Sequence, residues 1–130
     1  MLETLPLYLG YVATSVALLV LFTAIYTVIT PYHELTLIRA GNKAAAFSLG
    51  GVVIGFALVL ASTAAHSVNL LDLALWGAVA MVCQIAVFFG VAMLLKGFRA
   101  GIEAGNEAFG LALAAMSVAV GLINAGAVTY

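Results

Sequence analysis

Charge is what this sequence has least of. Only four Lys or Arg and five Asp or Glu occur in 130 residues, 7% in all, where a soluble domain carries roughly a quarter. So few charges cannot cover a water-facing surface, which excludes an ordinary soluble domain. Cysteine is almost missing too. Cys83 stands alone inside an apolar run, which excludes an intrachain disulfide and leaves no thiolate metal site within one chain. A formal net charge of −1 gives nucleic acid no electrostatic footprint to bind. No Ser-His-Asp, Cys-His or paired-carboxylate arrangement is present, so neither an enzyme nor a cofactor is expected.

What fills the chain instead is hydrophobic residues, 66% of the total, with a mean hydropathy of +1.27. Apolar runs fall at about Leu7–Thr30, Ala44–Ala65, Leu70–Leu95 and Ala108–Val128. Each is near the ~20 residues that a helix needs to cross a bilayer. The reading is an all-α membrane protein of four transmembrane helices forming a single domain over 1–130, embedded in a lipid bilayer. The N-terminal "MLETLPLYLG" carries Glu3 where a secretory signal would be basic, and its apolar run is too long for a signal core. It is read as a retained first span.

All four basic residues lie in two connections. Arg39 and Lys43 join spans one and two, and Lys96 and Arg99 join spans three and four. The positive-inside rule then predicts cytoplasmic basic loops, with both termini and the middle turn outside. Tyr8, Tyr11, Trp76 and Tyr130 fit aromatic anchors at the outer interface, and Tyr32 and Phe98 at the inner one.

The two basic loops also repeat a phrase. "IRAGNKAAAFSLGG" begins at Ile38, and "IEAGNEAFGLALAA" begins at Ile102. A shift of 64 positions lays Gly41-Asn42 on Gly105-Asn106, span one on span three and span two on span four. Two hairpins of the same topology are therefore expected, about 7–66 and about 70–130, related by an axis along the membrane normal. Asn42 and Asn106 stand where spans two and four begin and are expected to cap them; anion capture at the paired helix N-termini is the other reading.

Between the copies the charges invert: Arg39 returns as Glu103, and Lys43 as Glu107. Opposite signs could pair across the axis or between subunits and so set register, or could simply be solvated. Spans two and four are also rich in small residues, with Gly51 and Gly55 in one and Ser117, Gly121 and Ala125 in the other. Such spacing lets helix backbones approach closely in lipid. It points to a tight centre and to a homo-oligomer.

Taken together, "TPYHELTLIRAGNKAAAFSLGG", "GFALVLASTAAHSVNLLDLALWG", "IEAGNEAFG" and "GLINAGAVTY" resemble the YjfL-like family of small bacterial inner-membrane proteins, a domain of unknown function. The resemblance spans practically the whole chain. It implies a four-span inner-membrane protein, often encoded near membrane-stress proteins. It implies no reaction, ligand or catalytic residue.

Polar groups inside the spans are the first functional suspects. Thr23, Tyr26, Thr27 and Thr30 form a helical stripe in span one. Gln84 is expected level with Ser117, and Asn124 level with Thr14 and Ser62. These residues either glue helices together or line a polar path. No Asp, Glu, Lys or Arg lies in the middle of any span, which argues against a proton-coupled antiporter. At the outer turn Asn69 and Asp72 have N-cap and N3 spacing. His66 with Asp72, and His33 with Glu34, are too few ligands for metal within one chain, and no metal site is expected. The leading reading is a homo-oligomeric passive pore or channel for ions or small polar solutes. The alternative is a non-conducting scaffold that anchors peripheral membrane-stress proteins.

Overall fold

A computed structural model describes residues 2–128 and is entirely helical in its regular structure. A short 3₁₀ turn, Leu2–Thr4, leads into α1, Leu5–Ile29. There follow α2 (Glu34–Arg39), α3 (Lys43–His66), α4 (Leu70–Leu94), α5 (Phe98–Glu103) and α6 (Glu107–Ala127). Four of these helices, α1, α3, α4 and α6, are long and apolar enough to cross a membrane. Their ends fall within about three residues of the apolar runs. The short α2 and α5 fill connections that the sequence analysis leaves without structure. Tyr130 lies outside the described residues.

The turns show why the spans stop where they do. Gly41 and Gly105 both take positive φ, 88° and 79°, a conformation that glycine adopts without steric cost. Each is followed by an extended Asn that caps the next long helix. Both turns lie at one end of the bundle, the Gly-Asn end. At the other end, Asn69 opens α4 after the His66 turn.

α3 is the central helix. Half of its most apolar window is buried, against 11% for α1. The most extensive helix pair is α3 with α6, and glycine makes it possible. A Cβ on Gly51 would collide with Ala114, one on Gly55 with the Ser117 carbonyl, one on Gly110 with Ala44, and one on Gly121 with Gly55. In lipid, where no water is expelled when helices meet, such contact supplies dispersion energy that larger residues would block. On the other side of the bundle aromatic rings join α1 to α3 and to α4. Phe22 stacks on Phe56 at 4.2 Å between ring centroids, and Tyr26 meets Phe88 edge-on at 4.9 Å.

The ring that sequence places at the inner interface behaves differently. Tyr32 is not a lipid-facing anchor but is buried in the core, edge-on to Phe98 at 6.2 Å. The chain after Thr30 folds back over the bundle end, and this carries the ring inward.

Candidate functional site

At the Gly-Asn end, one side chain serves two structures. The Asn42 side-chain oxygen accepts from the Ala45 N–H at 3.0 Å, closing the first turn of α3. Its Nδ2 donates to the Ile102 carbonyl at 2.7 Å and to that of Glu103 at 3.3 Å. These carbonyls belong to the last turn of α5, past the helical N–H ladder; the Ile102 carbonyl also accepts from the Gly105 N–H at 3.0 Å. Asn42 therefore caps α3 and α5 together, and ties the first polar loop to the second. Asn106 caps α6 through the N–H groups of Ala108 and Phe109, at 3.1 and 3.4 Å. Among the described residues it makes no return bond to the first loop.

The tie leaves a groove of about 450 Å³ lined by Leu37, Asn42, Lys43, Glu103 and Glu107 among others. Within one chain its charges do not pair across the two loops. Among the described residues the only ion pair is Arg99 with Glu103, 3.2 Å apart, four residues along α5 and exposed. A partner one helical turn away needs no reach across the loops, which is why it wins. Arg39, Lys43 and Glu107 stay exposed and display charge of both signs.

Beneath this surface lies a polar cluster whose members the sequence names separately, apart from Ser48, and does not bring together. Tyr26 and Ser48 are fully buried and share a hydrogen bond of 3.3 Å between α1 and α3. The Thr30 hydroxyl donates to the carbonyls of Thr27 and Tyr32, at 3.3 and 3.4 Å. Glu34, the first residue of α2, is 1% exposed, and neither of its carboxylate oxygens has a hydrogen-bond partner. The Tyr32 hydroxyl lies beside Tyr26 and Ser48 yet closes no hydrogen bond. Burial pushes both Glu34 and Tyr32 above their ordinary values. His33 is exposed while Glu34 is buried, so the two side chains do not make a common ligand set. A usable signal did exist. "TPYHE" is the polar part of the first loop that the second loop does not repeat.

Deeper in the bundle the threonine hydroxyls are satisfied locally, while Gln84 Oε1 is buried without a hydrogen-bond partner. The Thr23 hydroxyl donates to the Leu19 carbonyl and that of Thr27 to the Ala24 carbonyl, at 2.9 and 3.0 Å. Gln84 and Ser117 do meet, but Gln84 Nε2 donates to the Ser117 carbonyl at 3.4 Å, not to its hydroxyl. A cavity of about 10 Å³ beside them has room for about one water. Ser62 reaches the Ala125 carbonyl at 2.6 Å, so Asn124 is left with a buried, unpartnered Nδ2. The described residues bring no polar file together across the bundle.

The opposite end is a capping motif. Asn69 Oδ1 accepts from the Asp72 N–H at 2.8 Å, and Asp72 Oδ2 accepts from the Val68 N–H at 3.1 Å. His66 Nδ1 donates to the Ser62 carbonyl at 2.8 Å. Among the described residues, no group of three or more His, Cys, Asp or Glu could hold a metal ion.

With this geometry in place, comparison with known proteins locates the chain. The model of the Domain of Unknown Function (DUF350) matches residues 1–128. The UPF0719 inner membrane protein YjfL of Escherichia coli (strain K12) is 33% identical over 99% of this chain and 98% of its own length. The UPF0719 transmembrane protein YshE of Bacillus subtilis (strain 168) is 28% identical over 87% of this chain and 84% of its own. No solved structure matches. Full-length coverage by the family model and by the first of these relatives means that this chain belongs to the DUF350 family, as a YjfL-like integral protein of the inner membrane.

Proposed function

We propose that this protein is a non-conducting membrane scaffold. Its four spans hold a charged surface at the cytoplasmic side of the bilayer, where peripheral membrane-stress proteins of the kind that the family resemblance implies would dock. One observation carries the reading: Asn42 binds α3 and α5 into a single unit, so Lys43, Glu103 and Glu107 line one groove. Fixed charges of both signs on a firm frame suit recognition of a folded partner, because complementary charge governs encounter and register more than affinity. The positive-inside rule is the argument for putting this end in the cytoplasm.

Homo-oligomers fit the same reading. A second groove, of about 640 Å³ and apolar, runs beside Gly50, Gly51, Ala114 and Ala115 on the α3–α6 face, and small-residue faces favour helix contacts in lipid. Oligomers also keep the rival reading alive, since a pore could only run between copies. The Thr23 and Thr27 hydroxyls and Gln84 Nε2 already bond within their own chain, which leaves such a path short of polar lining.

Proteoliposome flux of small ions and polar solutes is the deciding measurement. The scaffold reading expects none above empty vesicles. Flux that scales with protein and falls on enlarging Thr23 or Thr27 would establish the pore instead. Changes in the Tyr32–Arg39 loop should abolish function without affecting insertion.

A further inference from the structure

One side-chain cluster changes its chemistry completely between the two halves of the chain. At the 64-residue shift, Tyr26 becomes Gly90, Thr30 becomes Leu94, Tyr32 becomes Lys96, Glu34 becomes Phe98 and Ser48 becomes Ala112. The Gly-Asn caps recur in both halves, yet no member of this cluster does. A helical hairpin of this kind can therefore be built without it, and packing alone does not account for its presence.

Its centre is a carboxyl group in an unusual position. Glu34 is 1% exposed and Tyr32 is 2% exposed, and the Glu34 oxygens and the Tyr32 hydroxyl all lack hydrogen-bond partners. A charged carboxylate without a partner is among the costliest groups to bury, and side chains so placed neutralise instead. No cation compensates it. Arg39 ends the same short helix but is exposed, and Glu34 makes no ion pair among the described residues. His33 is the neighbouring basic group, and it faces outward. Around the carboxyl stand Tyr26, Thr30 and Tyr32; behind them the Ser48 hydroxyl of α3 bonds to Tyr26, and the edge of Phe98 at the start of α5 meets Tyr32.

We propose that Glu34 is a buried proton-binding site, occupied by a proton while α2 is docked against α3. Protonation removes the charge and turns an acceptor-only group into one that can donate, which suits a pocket rich in oxygen atoms and closed to water. Burial raises the carboxyl above the ordinary glutamate value. The Thr30 hydroxyl, the backbone N–H at the start of α2 and the His33 ring favour the charged form and act less strongly.

The direction of the pH dependence follows. A raised value in the folded state means that the docked form binds the proton more tightly than the unfolded chain does. The stabilisation is complete below the ordinary glutamate value and is lost as pH rises through the raised one. Loss of the proton puts a charge into a dry pocket at the start of α2. Because α2 runs on through Leu37 to the Gly41-Asn42 turn, release there would loosen the charged surface above it.

Difference infrared spectroscopy of the full chain in lipid nanodiscs, titrated from about pH 4 to about pH 9, tests the assignment. We expect a protonated-carboxyl band that survives above the pH at which a free glutamate side chain ionises and that is missing from Glu34→Gln. We also expect the hydrogen exchange of α2 amides, corrected for intrinsic rate, to rise with pH in the wild type and to stay flat in Glu34→Gln, which mimics the protonated form. A wild-type carboxyl band that vanishes at the ordinary glutamate value overturns the proposal, and that reading needs no variant to fold. So does a band that persists in Glu34→Gln, or α2 exchange with the same pH dependence in both proteins.

Discussion

Gly50 and Gly55 lie five residues apart on α3, and alanine at each should have different consequences. A Cβ at Gly50 meets nothing within 4 Å. At Gly55 it would overlap the Ser117 carbonyl oxygen and stand 3.1 Å from Gln84 Nε2. The obstacle is backbone, so α6 must move as a unit. Overpacking of this sort costs about 1–3 kcal/mol. The shift also strains the Gln84 bond to Ser117, and an interhelical hydrogen bond in lipid contributes about 0.6 kcal/mol. In water, the helix propensity of alanine would offset about 1 kcal/mol of this. In the bilayer the separated spans remain helical, so the offset is small. Gly55→Ala should therefore lose about 1.5–3.5 kcal/mol, and Gly50→Ala should stay within about 0.5 kcal/mol of wild type. Reversible unfolding in mixed detergent–lipid micelles, followed by circular dichroism and Trp76 fluorescence, measures both. Equal stability of the two variants would refute the close α3–α6 contact as the organising interaction of the bundle.

Asn42→Ala should cost more than Asn106→Ala, because it removes two bonds to α5 as well as a cap worth about 1 kcal/mol; the same unfolding assay compares them, and equal losses would deny the tie between the loops. A double-mutant cycle between Lys43 and Glu107 should give additive effects, and Arg99→Ala should cost under about 1 kcal/mol, as exposed pairs do. A coupling that appears only in assembled protein would place the inverted charges between subunits. Finally, cysteines substituted at Glu3 and at Lys43, in a background with Cys83 replaced, should react with an impermeant reagent from outside only at the Glu3 position. Labelling of the Lys43 position from outside reverses the proposed orientation.

Much of this structure could be read from residue order. Long apolar runs leave a backbone in lipid no choice but helix, so the spans were legible almost to the residue. Asn42, Asn69 and Asn106 were recognisable as caps because capping is a local bond, made to an N–H two or three residues away. The glycines of α3 and α6 announced a close contact through their spacing. What failed was inference across distance. The inverted charges invited a pairing between loops, yet Glu103 found Arg99 one turn away. Asn124 was matched by height to Ser62, yet Ser62 bonds to Ala125, because level along the axis says nothing about rotation around it.

Glu34 shows the boundary most clearly. In the sequence it sits in a polar loop beside His33, four residues beyond the stripe that ends at Thr30, and reads only as a metal ligand with too few companions. Hydropathy acts residue by residue, and so the order of residues determined by itself that the chain enters a bilayer and where each of its four long helices starts. Burial of a loop residue depends on which way the chain turns after the span ends and on what waits there. Only the tertiary structure decided that Pro31 to Arg39 folds back over the bundle end, carrying Tyr32 and Glu34 inward and turning His33 out, because the contacts that hold that turn come from Tyr26, Ser48 and Phe98, up to 66 positions away.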